Sequence, residues 1–170
     1  MPRVAGMTAS GTTTSDELQI RKMGLRDVRS LRRLFDRSVD DSFTYFPVEY
    51  RAKLRRQHSI ARLVKAYVSP KAHFMLLTRE GTDIGYCLLR FQQDRAYIFW
   101  MYVDPKFRGI RAGEQLLQSS IEVAAQHNLV ALQLVTHDKE EFYAKYGFVP
   151  LRHVSGLVGG IDMVIMEYSI

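Results

Sequence analysis

The chain has 170 residues, of which 46% are hydrophobic and 25% are charged, an ordinary balance for one globular domain with a substantial core. It carries a formal net charge of +6, and no stretch approaches the roughly 18 consecutive apolar residues of a membrane-spanning helix. With Cys87 as the single cysteine, an intrachain disulfide is excluded and a reducing compartment is favoured. We therefore expect a cytoplasmic protein with no membrane contact.

The first 16 residues are rich in Thr, Ser and Gly and contain no apolar core of a secretory signal. We expect residues 1–16 to form a flexible N-terminal tail. No internal repeat or linker interrupts the rest of the chain, so residues 17–170 are predicted to form a single domain.

The first half of the domain predicts one strand, two helices and three further strands. Residues 18–23 alternate between apolar and polar side chains, which is typical of a half-buried strand. Apolar residues at helical spacing predict one helix from Leu25 to about Arg37 and a second helix over 48–68. The three strands that follow are predicted over residues 73–78, 83–92 and 95–103.

The second half predicts a long helix from about Ala112 to His127, a strand over 129–136 and a short helix. A capping-box pattern over 138–141 opens that short helix, and Gly147 ends it. Two final strands are predicted over 148–154 and 161–168. The order β-α-α-β-β-β-α-β-α-β-β is typical of an α/β (α+β) domain with a mostly antiparallel sheet.

One stretch, residues 97–117, combines a strand, a tight loop and a helix. Pro105 stops the strand because it has no N–H to donate, and a small-residue loop over 108–113 leads directly into an amphipathic helix. The first N–H groups of a helix are unpaired and point in one direction, and the helix dipole adds about half a positive charge there. The stretch therefore predicts an anion site, with a phosphate as its ligand.

The loop also resembles a known signature. Val103-x-Pro105 followed by Arg108-x-x-Arg111-x-Gly113 resembles the acetyl-CoA signature of the GNAT superfamily of N-acetyltransferases, although Arg111 stands where the signature has glycine. This replacement predicts either a less close approach of the backbone to a pyrophosphate or an arginine that itself binds a phosphate. A second segment, FYAKYGF over residues 142–148, resembles the family segment that follows the fifth strand.

The resemblance implies a fold and a reaction. The fold would be GNAT-like, a mixed and mostly antiparallel sheet of six to seven strands flanked by about four helices. The reaction would move an acetyl group from acetyl-CoA, as co-substrate, to a primary amine of a small molecule, peptide or protein. The amine would attack directly, without a covalent enzyme intermediate. Independently of the resemblance, the histidines lack metal-ligand spacing, so no metal site is predicted.

The resemblance also implies site residues on the acetyl-CoA side. Tyr143 would be the catalytic acid that protonates the departing thiolate; a phenol titrates near 10 and a thiol near 8.5, so the phenol carries a proton at neutral pH. The strand before the loop would contribute unpaired backbone groups from Met101, Tyr102 and Val103. The cofactor-binding set implied by the motifs is Met101, Tyr102, Val103, Arg108, Gly109, Ile110, Arg111, Ala112, Gly113, Glu114 and Lys145.

On the acceptor side, the loop over 40–47 resembles the acceptor-side loop of the family. Its carboxylates would suit an amine and its aromatic rings an apolar acceptor body. The acceptor-binding residues implied are Asp40, Asp41, Phe43, Tyr45 and Phe46.

The general base stays open at this point. Many relatives carry a glutamate where this chain has Tyr97. The alternatives are Asp40 or Asp41, Glu49, or a water chain leading to His137.

Two other functions remain as alternatives. One is a non-catalytic acyl-CoA-binding regulatory module, because Arg111 and the missing glutamate depart from the family pattern. The other is a basic protein that binds nucleic acid or ribosomes, because cations concentrate between Arg21 and Lys71. A solvated surface, or a field that draws anionic CoA to its site, explains those cations equally well, and no nucleic-acid motif accompanies them. A monomer and a homodimer are both compatible with the sequence.

Overall fold

The computed structural model describes residues 17–170, which contain one seven-stranded sheet and five α-helices. The proposed tail, residues 1–16, lies outside the described residues. The first elements are β1 (Leu18–Lys22), α1 (Val28–Asp41), α2 (Val48–Gln57), α3 (Ile60–Tyr67), β2 (Ala72–Arg79), β3 (Thr82–Gln92) and β4 (Arg95–Val103). The remaining elements are α4 (Ala112–Gln126), β5 (Ala131–Thr136), α5 (Glu140–Ala144), β6 (Val149–Val158) and β7 (Ile161–Ser169). None of the helices in this described part is long and apolar enough to cross a membrane.

The strand order across the sheet is β1-β2-β3-β4-β5-β7-β6. Every neighbouring pair is antiparallel except β4 and β5, so the predicted fold class, the mixed sheet and its mostly antiparallel pairing are confirmed. All seven predicted strands are present, and the long helix over α4 is found as expected.

The two faces of the sheet are covered by different helices. Leu116 and Leu117 of α4 pack on one face, in a core cluster that includes Leu89 and Leu132. Leu31 and Phe35 of α1 pack on the other face, together with residues of α2 and α3. Burial of these side chains on both faces of one sheet is the main source of the fold's stability.

The prediction of one continuous second helix is wrong. The helical conformation is interrupted at His58 and Ser59, which separate α2 from α3. The guanidinium of Arg32, on α1, donates to the backbone carbonyls of Arg55 and His58, each at 2.9 Å. Those carbonyls are the acceptors that a continued helix would use, so a tertiary contact ends the helix there.

Two further boundaries differ from the prediction. α1 continues four residues beyond Arg37, because Val39 is fully buried and extends the apolar face of the helix. Asp40 and Asp41 therefore lie on its last turn and not in a loop. The capping box over 138–141 is also wrong: the hydroxyl of Thr136 accepts from the Lys139 N–H at 3.1 Å.

The feature that positions the site is the divergence of β4 from β5. The two strands pair only along Arg95–Ile98 and Ala131–Leu134. A shift in the β3–β4 register leaves Phe99 as an extra residue on β4, a β-bulge that bends the strand. Beyond Ile98, the edge of β4 that faces β5 has no paired strand among residues 17–170, and a gap opens in the middle of the sheet.

Candidate active site

The gap between β4 and β5 forms a cleft of about 1270 Å³. Its walls come from the end of β4, the start of α4, the end of β5, α5, the loop before α2 and the β6–β7 hairpin. Both sequence motifs, the loop over 103–113 and the segment over 142–148, therefore contribute to one cavity.

Backbone groups on β4 are free to bind a ligand in this cleft. The Asp104 N–H donates to the Ile84 carbonyl at 2.8 Å, so the backbone of Asp104 faces β3. Because successive residues of an antiparallel strand face opposite neighbours, the N–H groups of Met101 and Val103 turn toward the cleft. Unpaired donors in a low-dielectric cleft suit the negative charge that develops on a carbonyl oxygen during acyl transfer.

Tyr102 contributes to the cleft in a different way from its two neighbours. The same alternation turns its backbone toward β3, whereas its side chain reaches the last turn of α1. Its O–H donates to Asp41 Oδ2 at 2.8 Å. Burial and the hydrogen bond to this carboxylate raise the pKa of Tyr102 above its ordinary value, so the phenol keeps its proton.

The loop before α4 has the geometry of an anion site. Gly109 has a φ of 83°, in the left-handed region that glycine tolerates without a penalty. The first α4 hydrogen bond runs from the Gln115 N–H to the Arg111 carbonyl at 3.0 Å. The N–H groups of Ala112, Gly113 and Glu114 precede it and have no acceptor within the helix, so they can hold a phosphate.

Arg111 adopts the backbone conformation that the signature glycine favours, with φ 63° and ψ 14°. Its guanidinium pairs with Glu114, with Nε 2.8 Å from Oε2, and 76% of the side chain is exposed. The ion pair raises the pKa of Arg111 and lowers the pKa of Glu114 from their ordinary values. The arginine thus keeps the left-handed turn and directs its side chain outward.

Arg108, the first arginine of the signature, is directed at protein groups. Its Nε donates to the Val103 carbonyl at 3.1 Å, and its Nη2 donates to Ser42 Oγ at 2.7 Å. The side chain therefore ties the end of β4 to the loop after α1. Ile110 and Lys145, which the motifs also implied, do not line the cleft.

Tyr143 lies on α5, beside the start of α4. Its ring meets Phe142 and Phe148 edge-on, with centroids 5.1 Å and 5.8 Å away. Phe142 in turn lies against Gly113: an added Cβ on that glycine would come 3.5 Å from the ring. Burial raises the pKa of Tyr143, so its phenol stays protonated and can act as an acid toward a thiolate.

The side of the cleft that the sequence assigns to the acceptor is an aromatic wall formed by Phe43, Tyr45, Phe46 and Tyr50. Phe46 and Tyr50 have ring centroids 4.9 Å apart. Burial raises the pKa of Tyr45 to about 12. Asp41 lies beside this wall, whereas Asp40 does not line the cleft and instead pairs with Arg55 of α2.

Some cleft residues had no signal in the sequence. Tyr50 and the hairpin residues Val158 and Met163 reach the cleft only through the packing of the hairpin on the aromatic wall. Trp100 reaches it because the bulge at Phe99 shifts the side-chain alternation of β4. Its indole N–H donates to His58 Nε2 at 3.0 Å.

The base candidates are also placed by the structure. Glu49 and Asp40 lie outside the cleft lining. Tyr97 lies within it, as does His137, whose ring packs against that of Tyr45 at an angle of 32°, with centroids 4.8 Å apart.

Residues 70–150 match the family described as Acetyltransferase (GNAT) domain. A Bacillus subtilis protein described as a candidate ribosomal protein bS18 alanine N-acetyltransferase is 29% identical over 108 residues, which cover 60% of this chain and 72% of that protein.

Two solved structures share the fold. A PaiA N-acetyltransferase from Thermoplasma acidophilum, in complex with coenzyme A, superposes with a TM-score of 0.78 at 21% identity, covering 91% of this chain and 99% of that one. The ribosomal-protein-S18-alanine N-acetyltransferase from Escherichia coli gives a TM-score of 0.72 at 18% identity, covering 91% of this chain and 94% of that one.

Proposed function

The chain belongs to the GNAT superfamily of acetyltransferases, and we propose that the amine it acetylates is the α-amine at the N-terminus of a peptide or protein. It is an enzyme that transfers an acetyl group from acetyl-CoA to an amine. The family match and the named relative favour this activity over the non-catalytic module and the nucleic-acid-binding protein that the sequence left open.

We propose that different groups in the cleft bind the phosphates, stabilise the thioester oxygen and protonate the leaving sulfur. Acetyl-CoA supplies an activated thioester, and the start of α4 suits its phosphates. The N–H groups of Met101 and Val103 would bind the thioester oxygen as negative charge develops on it. The Tyr143 O–H would donate its proton to the departing sulfur, a form of help typically worth about 10²- to 10⁴-fold in rate.

The observation that carries the peptide proposal is the extent of the cleft. Its volume of about 1270 Å³ is shared between acetyl-CoA and the acceptor, so the lining beyond the acetyl-CoA side defines the space for the acceptor. The lining continues past the aromatic wall onto β3 and β5, through Arg90, Gln92 and Gln133. An acceptor longer than a single amine can therefore lie along the sheet.

The aromatic wall adds support for an acceptor with an apolar first residue. Phe43 and Phe46 are buried, and Tyr45 is held between Phe46 and His137. The names of the B. subtilis and E. coli relatives, which describe acetylation of an alanine in a ribosomal protein, agree with this class of acceptor.

Three acceptors of matched concentration test the proposal. The first is a short peptide with a free α-amine and an apolar first residue; the second is the same peptide with a blocked α-amine and a free lysine. The third is a small primary amine. We expect thiol release from acetyl-CoA and a gain in mass of one acetyl group mainly with the first peptide. Faster acetylation of the lysine or of the small amine would contradict the α-amine proposal and leave the family reaction intact.

A further inference from the structure

The reaction needs a group that removes a proton from the acceptor ammonium, and the carboxylates of the cleft are already engaged. Among described residues, the carboxylates lining the cleft are Asp41, Glu114 and Asp138. Asp41 accepts hydrogen bonds on both oxygens, from the Ser42 and Tyr102 hydroxyls. Glu114 is bound by Arg111 on both oxygens, and Asp138 lies 2.6 Å from the Lys139 ammonium.

We propose that His137 is the general base of this enzyme, an inference that rests on the proposed acetyl transfer. His137 follows the last residue of β5 and lines the cleft beside the aromatic wall. Its position is fixed on two sides: the ring packs against the tilted ring of Tyr45, and Nδ1 lies 3.0 Å from the backbone carbonyl of Asp162.

The contact with Asp162 selects the tautomer. A backbone carbonyl oxygen only accepts, so Nδ1 must carry the proton and donate it. The lone pair of the neutral ring is then on Nε2, which has no hydrogen-bond partner among residues 17–170. An imidazole held in one tautomer by a hydrogen bond from Nδ1, with Nε2 free, is the arrangement of a general base.

The groups around the ring leave this lone pair available. Tyr45 remains a neutral phenol, since burial raises its pKa to about 12. The Asp162 carboxylate accepts from the Gly156 N–H at 2.9 Å, and Asp138 is paired with Lys139. Tyr143, which lines the same cleft, keeps its proton because burial raises its pKa.

The acceptor ammonium loses two protons during the reaction, one to His137 and one to Tyr143. Nε2 of His137 takes one proton from the acceptor ammonium, giving an imidazolium and a neutral amine, and later releases it to water. The amine nitrogen forms a bond to the thioester carbon, and the carbon–sulfur bond breaks as Tyr143 gives its proton to sulfur. The second proton lost from the new amide nitrogen restores the Tyr143 phenol. One proton reaches the solvent for each acetyl group transferred.

The test compares His137→Gln with wild type, using the free-α-amine peptide and measuring kcat and KM separately from about pH 6 to 9. His153→Gln, at an exposed histidine of β6, is the matched control. We expect His137→Gln to lower kcat by about 10²- to 10⁴-fold at neutral pH, with the deficit shrinking as alkali deprotonates the amine. The control should match wild type, and the rise in melting temperature with acetyl-CoA should be the same in all three proteins.

The alternative outcomes separate this inference from the proposed function. If wild type acetylates the peptide and His137→Gln has the same kcat and pH profile, the histidine is not the base and the function stands. A rise in KM with unchanged kcat and profile would also overturn the inference, by showing a binding role. If wild type acetylates no amine, both the proposed acceptor and the base assignment fail.

Discussion

At Tyr143, burial favours the proposed acid. Desolvation penalises the phenolate, so the pKa of this phenol rises above 10 and the proton stays on oxygen across the neutral range. A raised pKa also means that Tyr143 contributes no titration of its own between about pH 6 and 9.

We expect Tyr143→Phe to lower kcat by about 10²- to 10⁴-fold, with little change in the affinity for acetyl-CoA. Because the phenol does not titrate in this range, the ratio of wild-type to variant rates should stay constant from about pH 6 to 9. Steady-state thiol release measures both quantities. Tyr168→Phe, outside the cleft lining, is the control. Normal turnover by Tyr143→Phe would remove the acid.

Arg111 combines a left-handed backbone conformation with a side chain that points outward. Substitutions can distinguish the effect of the backbone from the effect of the side chain. A non-glycine residue at φ 63° is strained by roughly 1–2 kcal/mol per residue, whereas glycine is not. We expect Arg111→Gly to raise the melting temperature by about 2–8 °C and Arg111→Ala to leave the strain in place. Thermal unfolding of the two variants measures the difference.

The same pair of variants tests the arginine as a phosphate ligand. If the guanidinium leaves Glu114 to bind acetyl-CoA, both variants should show a higher KM for acetyl-CoA. A melting temperature of Arg111→Gly below that of Arg111→Ala would contradict the strain assigned to this position.

At the scale of elements, the β6–β7 hairpin packs on the aromatic wall and closes the proposed acceptor side of the cleft. Gly159 has a φ of 60°, and an added Cβ would lie 3.0 Å from the rings of Phe46 and Tyr50. Its neighbour Gly160 has a φ of 79° and open space around the added atom. A substitution at either position would therefore strain the backbone, but only a substitution at Gly159 would also press against the aromatic wall.

We expect Gly159→Ala to raise the KM for the peptide acceptor, because the hairpin or the wall must move to admit the methyl group. The KM for acetyl-CoA should not change, since the α4 side of the cleft is untouched. Gly160→Ala is the matched control for strain. Equal effects of the two substitutions on the acceptor KM would show that the hairpin contact does not shape the acceptor site.

The elements themselves could be predicted from the sequence because their signals are local. The strand over Arg95–Val103 was predicted with the observed bounds, since its aromatic and β-branched run ends at a turn and a proline. The break between α2 and α3 could not be predicted, because it depends on Arg32, a residue more than 20 positions earlier in the chain.

Only those parts of the candidate site that lie in recognisable sequence motifs could be predicted. The loop over 108–113 and Tyr143 carry recognisable spacing, and the structure brings both to one cleft. The bulge at Phe99 and the hairpin packing on Phe46 arise from tertiary geometry, so Trp100 and Tyr50 gave no signal. His137 could not be distinguished from the other base candidates by sequence, because its contacts with Tyr45 and Asp162 are tertiary.

At the scale of the whole molecule, the sheet separates two tasks. The face covered by α4 and the adjoining α5 presents free helix N–H groups and a phenol, which suit acetyl-CoA. The face covered by α1–α3 presents the aromatic wall, which suits the acceptor. The gap between β4 and β5 joins the two sides, so the acetyl group and the amine can meet within the sheet. The net charge of +6 would also draw the anionic CoA toward the protein.

Hydrogen exchange with and without acetyl-CoA tests the central claim, that this gap and the start of α4 form the acetyl-CoA site. The account predicts slower exchange at residues 99–103 and 109–114 when acetyl-CoA is bound, and no change in α2 and α3. Protection confined to other segments, in a protein that acetyl-CoA nevertheless stabilises against heat, would contradict it.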